Sequence, residues 1–279
     1  MIIDVHVHIF PRRIRENKAN YFSNEPAFEL LYGSEAANMV GAEDVVAMMD
    51  EQGVDAAVVC GFPWSDPDTC RLNNDTVLDA VARYPDRLRG LACFDPFTPG
   101  FEREVARCMA AGLSGAGELA FYRSGIDKTC RDRLAPAMEI CGERNLPVMI
   151  HTNEPVGHQY PGKTPNTLIQ IYNLVKQYPE NRIILAHWGG GLFFYNLLKK
   201  EVESTLKNVW YDTAASPYLY RPGIYRAGMD LAGADRILFG TDYPLLKPER
   251  YFKEMDRAGL SDNERSALCG DNARALFDL

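Results

Sequence analysis

Histidine placement near the start of the chain is the first chemical signal. Five histidines occur among 279 residues, and His6 and His8 fall two positions apart in the run IIDVHVHIF. Side chains of a β-strand alternate between its faces, so both imidazoles are expected on one face, about 6–7 Å apart, where they can bind one cation. Asp4 falls on the same predicted face and is expected to accept an imidazole N–H. The apolar residues between them are expected to pack against surrounding helices.

Further metal-binding and proton-transfer groups stand at or just after the ends of later apolar runs. They are Glu118, His151, His187 and Asp242. Each alone is weak evidence, because His-x-His pairs occur on surface strands and acidic residues after glycine often belong to turns or helix caps. A metal ion would offset the cost of burying so many polar groups together. Their shared position at strand ends therefore favours a metal site.

Eight short apolar or β-branched runs alternate with segments of helical spacing, such as Val77, Val81 and Tyr84. Eight strand-helix units in a chain of this length predict an α/β protein of the (β/α)8 TIM-barrel type. A doubly wound open sheet is the alternative, but it usually has fewer units, and no G-x-G-x-x-G follows the first run. The predicted strands cover residues 2–8, 55–61, 87–94, 113–119, 147–152, 182–187, 208–213 and 236–242.

Two long connections interrupt this regular pattern. No linker composition divides the chain, so residues 1–279 are expected to form one domain, with loops 9–42 and 152–166 over the carboxyl-terminal face of the barrel. Strand ends meet at that face, and long loops there commonly act as lids or substrate walls. Aromatic residues in the first loop, including Phe28 and Tyr32, would line a substrate pocket or pack the loop itself.

Composition narrows the class of partner. The formal net charge is −8, with 30 Lys plus Arg against 38 Asp plus Glu, which argues against nucleic acid or an anionic membrane as partner and favours a small-molecule substrate. Seven cysteines without a C-x-x-C pair suit reduced thiols in the cytoplasm. We expect neither a secretion signal nor a membrane span. A homo-oligomer is also consistent with the sequence.

The motifs DVHVHIFP, AHWGGG and FGTDYP, in this order, resemble the amidohydrolase superfamily of metal-dependent hydrolases (amidohydrolase family 2). They are similar to the branch that contains aminocarboxymuconate semialdehyde decarboxylase. The resemblance implies that His6, His8, His151 and Asp242 bind a divalent metal, usually zinc, and that His187 is an acid/base or substrate-orienting residue.

Glu118 departs from this pattern. In GAGEL it occupies the position where other branches of the superfamily carry a metal-bridging glutamate, while the lysine that many two-metal members carboxylate is absent. The resemblance therefore implies one ion, and the alternative is a pair of ions bridged by Glu118.

Three functions are consistent with these residues. The first is hydrolysis of a lactone, ester or amide, in which metal-activated water attacks a carbonyl and Asp242 acts as general base. The second is non-oxidative decarboxylation of an aromatic or muconate-type acid, with His187 orienting the carboxylate and protonating the carbanion. The third is a non-catalytic metal-binding barrel. Hydrolysis is the first expectation.

Four more residues are candidates for substrate binding. Arg123 and Lys163 would supply cations for an acidic substrate, or are ordinary surface charges. His158 would contact substrate from the second long loop, or lie on the surface. Trp188 precedes three glycines that would let the backbone approach an anionic group. The alternative for Trp188 is a packed side chain in a tight turn.

Overall fold

The computed structural model describes residues 1–279, and eight parallel strands form its centre. Each strand lies inside one of the predicted runs but is shorter than that run. The strands are β1 (Ile3–His8), β2 (Ala56–Cys60), β3 (Leu88–Gly90), β4 (Ala116–Leu119), β5 (Val148–Ile150), β6 (Ile183–Leu185), β7 (Val209–Asp212) and β8 (Ile237–Leu238).

The strands close into a barrel. β1 to β3 are paired in chain order, and so are β4 to β8. A parallel bridge between Ala92 and Ala116 joins the two groups, and a second bridge between Val7 and Tyr243 closes the ring. The predicted (β/α)8 TIM barrel is therefore confirmed, and the carboxyl ends of all eight strands open at one face.

Helices surround the barrel and begin where the sequence supplies caps. Before α4, for example, the Asp66 side chain accepts the backbone N–H of Thr69, and the helix ends where Tyr84 precedes a proline. The helices are α1 (Arg12–Glu16), α2 (Pro26–Tyr32), α3 (Ala42–Gln52), α4 (Pro67–Arg83), α5 (Phe101–Ala110), α6 (Lys128–Glu143), α7 (Leu168–Gln177), α8 (Lys200–Thr205), α9 (Ser216–Leu219), α10 (Gly223–Ala232), α11 (Pro248–Ala258), α12 (Asp262–Ser266) and α13 (Asn272–Phe277). Short 3-10 turns cover Lys18–Tyr21 and Ala234–Arg236, and a π turn covers Ala267–Asp271. A longer 3-10 segment, His187–Leu197, begins with a left-handed turn.

A register shift in β1 changes which residues face the barrel interior. The pairing with β2 slips between Asp4 and Val7. Ile3 and Val5 pack in a small apolar cluster with members from β2, β5, β6 and β8, which fills the barrel, whereas Val7 joins the large core shared with the helices. The prediction that all apolar residues of β1 face the helices is wrong, because a bulge breaks strict alternation.

The two long connections differ in structure. Residues 9–42 contain α1, a 3-10 turn and α2, and Phe28 of α2 is fully buried. Residues 152–166 contain neither helix nor strand. All seven cysteines are buried and unpaired. No helix has both the length and the apolar character that a membrane crossing requires.

Candidate metal centre

His6 and His8 converge at the carboxyl end of β1. Their Nε2 atoms lie 3.2 Å apart, and the His6 side chain is fully buried. The opposite ring nitrogen of each is held by an oxygen: Nδ1 of His6 lies 2.9 Å from Oδ2 of Asp212, and Nδ1 of His8 lies 3.0 Å from the carbonyl oxygen of Gly61. Because each Nδ1–H donates to its oxygen in the neutral tautomer, both Nε2 lone pairs point into the same space.

His151 and His187 form a second converging pair, from the ends of β5 and β6. Nδ1 of His151 lies 3.2 Å from Nε2 of His187. The other nitrogens are again held by carbonyl oxygens, Nε2 of His151 by Gly162 at 2.9 Å and Nδ1 of His187 by Ala214 at 2.9 Å. Both free lone pairs therefore face each other, as in the first pair.

Glu118 lies between the two pairs at the end of β4. Its Oε1 is 3.0 Å from Nδ1 of His151 and 3.3 Å from Nε2 of His187. Its Oε2 is 3.6 Å from Nε2 of His6 and 3.7 Å from Nε2 of His8. Each imidazole pair thus has a different oxygen of the Glu118 carboxylate beside it.

Asp242 completes the first group of donors. Its Oδ1 is 3.2 Å from Nε2 of His8 and 3.8 Å from Nε2 of His6. The residue has φ +60°, and its backbone N–H donates to the carbonyl oxygen of His6 at 2.9 Å, which fixes it beside β1. The structure therefore brings together all six residues predicted to bind metal or transfer protons: His6, His8, Glu118, His151, His187 and Asp242.

The donor geometry fits a divalent metal. Two nitrogens bound to one ion at zinc–nitrogen distances and a tetrahedral angle lie about 3.3 Å apart, and both imidazole pairs are separated by 3.2 Å. Imidazole and carboxylate suit zinc and manganese. Without a cation, converging lone pairs and two carboxylates would repel one another.

Electrostatics at the centre favour positive charge. Burial works against a charged His6 and is the largest single influence, but Glu118 and Asp212 still raise its pKa well above the ordinary value. Burial likewise opposes ionisation of Glu118, yet His6 and His151 hold its pKa well below the usual range. A bound cation would be stabilised by the same negative carboxylates.

Asp212, at the end of β7, was not predicted as a site residue. Besides His6, it holds the backbone N–H of His187 at 2.8 Å. The expectation that Asp4 would hold an imidazole is wrong. The Asp4 carboxylate instead accepts the backbone N–H of His6 and both N–H and O–H of Thr241, and burial raises its pKa to about 7. Asp212 carries the same signal as the predicted residues, an acidic side chain ending a strand.

The AHWGGG motif forms a left-handed turn after β6. Residues 187–191 all have positive φ, between 55° and 91°. A Cβ on Gly190 would lie 2.4 Å from the carbonyl oxygen of Asn153, so only glycine fits there. The prediction that Trp188 binds substrate is wrong, because its indole is fully buried and donates to Oγ of Ser216 at 3.1 Å.

None of the other predicted substrate residues forms a hydrogen bond or ion pair with the metal donors. Nζ of Lys163 is bound by Glu154 at 2.7 Å, so its charge is already paired. His158 is exposed on the second long loop, with its ring centroid 6.1 Å from that of Tyr160. Arg123 is exposed at the rim of a cleft of about 290 Å³ that Tyr122 also lines.

Comparison with known proteins places these observations in context. A family model described as Amidohydrolase matches residues 3–279. Gamma-resorcylate decarboxylase of Polaromonas sp. (strain JS666 / ATCC BAA-500) is 23% identical, with 84% of this chain and 86% of the relative covered.

Solved structures share the fold. 5-Carboxyvanillate decarboxylase from Sphingomonas paucimobilis has a TM-score of 0.78 and 18% identity, covering 100% of this chain and 99% of that one. Dihydroxybenzoic acid decarboxylase from Polaromonas sp. JS666, with bound manganese and the inhibitor 2-nitroresorcinol, has a TM-score of 0.71 and 20% identity, covering 100% and 97%. Manganese in this neighbour means that the comparisons give no specific support for zinc.

Proposed function

The chain belongs to the amidohydrolase family, and we propose that within this family it is a metal-dependent, non-oxidative decarboxylase of an aromatic acid. The predicted resemblance to this superfamily is thereby confirmed. Hydrolysis was the first expectation from sequence, but the named relatives are decarboxylases of hydroxylated aromatic acids. The names of these relatives favour decarboxylation, the second of the functions expected from sequence.

The observation that carries the proposal is the convergence of His6, His8 and Asp242 at one face of the barrel. These residues, with Oε2 of Glu118, would hold one divalent ion. When bound, the ion would hold oxygen atoms of the acid and withdraw electron density from its ring. Manganese is the first ion to test, because a similar enzyme was solved with it.

We assign the proton transfer to His187. Loss of CO2 breaks the bond between the ring carbon and the carboxylate, and the electron pair stays on the ring carbon until a proton replaces the lost group. Burial opposes a charge on His187, but the hydrogen bond and the negative charge of Glu118 raise its pKa. Because Nδ1 is held by Ala214, the transferable proton would sit on Nε2, which faces the centre.

Hydrolysis is the second candidate, and the position of Glu118 favours it. One oxygen of Glu118 faces each converging imidazole pair, so His151 and His187 with Oε1 supply donors for a second ion. In that case His187 is a ligand, and Asp242 would accept the proton of the attacking water. Two ions bound per chain would therefore favour hydrolysis, whereas one ion is compatible with either reaction.

An assay of both reactions tests the proposal. Manganese-loaded protein is incubated with 2,6-dihydroxybenzoate, 5-carboxyvanillate and a panel of simple lactones, while CO2 and lactone opening are measured. We expect CO2 from at least one acid, and at least about 10-fold slower CO2 release with Asp242→Asn. Asp86→Asn, an exposed carboxylate away from the site, is the matched control and should retain activity. Lactone opening without CO2 from either acid would favour hydrolysis instead.

A further inference from the structure

Two tyrosines on connections at the carboxyl face of the barrel have hydroxyls without a hydrogen-bond partner in the protein. Tyr32 is the last residue of α2, and Tyr122 follows β4 by three positions. Both side chains are partly accessible to solvent. Burial and the negative charges of Glu118 and Asp242 raise the pKa of both phenols. The hydroxyls therefore stay protonated at neutral pH and remain hydrogen-bond donors.

The ring of Tyr122 lies beside the candidate metal ligand His151. The ring centroid of Tyr122 is 6.3 Å from that of His151, with the planes inclined by 31°. The negative charge of Glu118 contributes to the raised pKa of both phenols. Tyr32 lies in the connection after β1 and Tyr122 in the connection after β4, so both follow strands that open at the face of the metal donors.

Aromatic packing holds the Tyr32 ring in place. Its centroid lies 4.9 Å from Phe28 and 5.1 Å from Phe10, and it meets Phe62 edge-on at 6.5 Å. Phe62 and Tyr122 in turn line the cleft of about 290 Å³. The cleft has aromatic walls and a volume at the small end of ligand pockets, and Tyr122 connects it to His151.

We propose that Tyr32 and Tyr122 determine substrate specificity by donating hydrogen bonds to oxygen substituents of a planar aromatic acid held over the metal ligands. The inference rests on the proposed function for its substrate class. An unpaired phenol in a half-buried site gains a hydrogen bond to a ring oxygen when such an acid binds. Acids that lack ring oxygens would leave at least one of the two donors unpaired, and are therefore disfavoured.

Phenylalanine substitutions test the donors while keeping the rings. Binding of 2,6-dihydroxybenzoate and of benzoate to manganese-loaded Tyr32→Phe and Tyr122→Phe is measured by calorimetry, together with kcat, KM and metal content. Tyr172→Phe, on the outer helix α7, is the matched control. We expect each site variant to bind the dihydroxy acid about 3-fold to 10-fold more weakly, as for a lost hydrogen bond between uncharged groups, with benzoate binding and metal content unchanged.

The outcomes separate this inference from the proposed function. Unchanged affinity in both site variants, or an equal loss for benzoate, would overturn the role of the hydroxyls even if CO2 is released. Weaker binding by the site variants without CO2 from any acid would uphold the tyrosines and overturn decarboxylation. Failure of wild-type protein to bind either acid would overturn the inference, and decarboxylation would then be judged on the CO2 assay alone.

Discussion

The carboxylate of Asp212 accepts a hydrogen bond from Nδ1 of His6 at 2.9 Å. Its other oxygen accepts the backbone N–H of His187 at 2.8 Å. One residue of β7 thus fixes the ring orientation of a candidate metal ligand and the backbone of the candidate proton donor. Such support raises ligand basicity and holds the tautomer that leaves Nε2 free.

Asp212→Asn should weaken metal binding about 10-fold to 100-fold, because the amide no longer favours the Nδ1–H tautomer of His6 with a negative charge. Metal affinity measured by competition with a chelator checks this. Asp86→Asn serves as control, since that side chain is exposed and forms no ion pair. An Asp212→Asn protein with wild-type affinity would show that His6 is not oriented through this contact.

Asp242→Asn should lower turnover by at least about 10-fold, because a negatively charged metal ligand beside His8 is replaced by a neutral amide of similar shape. Circular dichroism and the thermal midpoint should stay near wild type, since the backbone N–H of Asp242 can still bind His6. Unchanged turnover and metal content would remove Asp242 from the site.

Glu118→Gln tests through the metal count whether Glu118 bridges two ions. For a decarboxylase with one ion, wild type binds one equivalent, and the variant keeps it with lower affinity, because His6, His8 and Asp242 remain. Elemental analysis of dialysed protein gives the count. Two equivalents in wild type, falling to one in the variant, would support the hydrolase with a Glu118 bridge.

Gly190→Ala should destabilise the fold by about 1–3 kcal/mol, as expected for a non-glycine residue forced to positive φ. The added Cβ would also lie 2.4 Å from the carbonyl oxygen of Asn153. Chemical denaturation measures the change in the free energy of unfolding. Gly223→Ala is the control, because a Cβ there has no neighbour within 4 Å and φ is not positive. Equal stability of both variants would contradict the constraint on the turn.

Much of the site could be predicted because the barrel imposes a simple rule. Parallel strands deliver their carboxyl ends to one face, so polar residues such as His151 and Glu118, far apart in sequence, meet there. The eight strands themselves were visible as short apolar runs between helical patterns, and each observed strand lies within its run. Asp212 follows the same rule and could have been included.

Other features depend on local geometry that the pattern of residue types does not determine. The bulge in β1 places Val5 inside the barrel, contrary to strict alternation. Trp188 is carried into the core by a turn with positive φ that begins one residue earlier, at His187. The loop cation Lys163 is paired with Glu154 only nine residues before it. Three-dimensional contacts decide each of these cases.

Reaction in D2O tests the central claim most directly. The manganese-loaded enzyme is given 2,6-dihydroxybenzoate and 5-carboxyvanillate, and the products are examined by mass spectrometry and NMR. The proposed chemistry predicts that an acid loses one CO2 and that the product carries one deuterium on the carbon that held the carboxylate. Recovery of both acids unchanged, while lactones in a parallel reaction gain the mass of water, would contradict it.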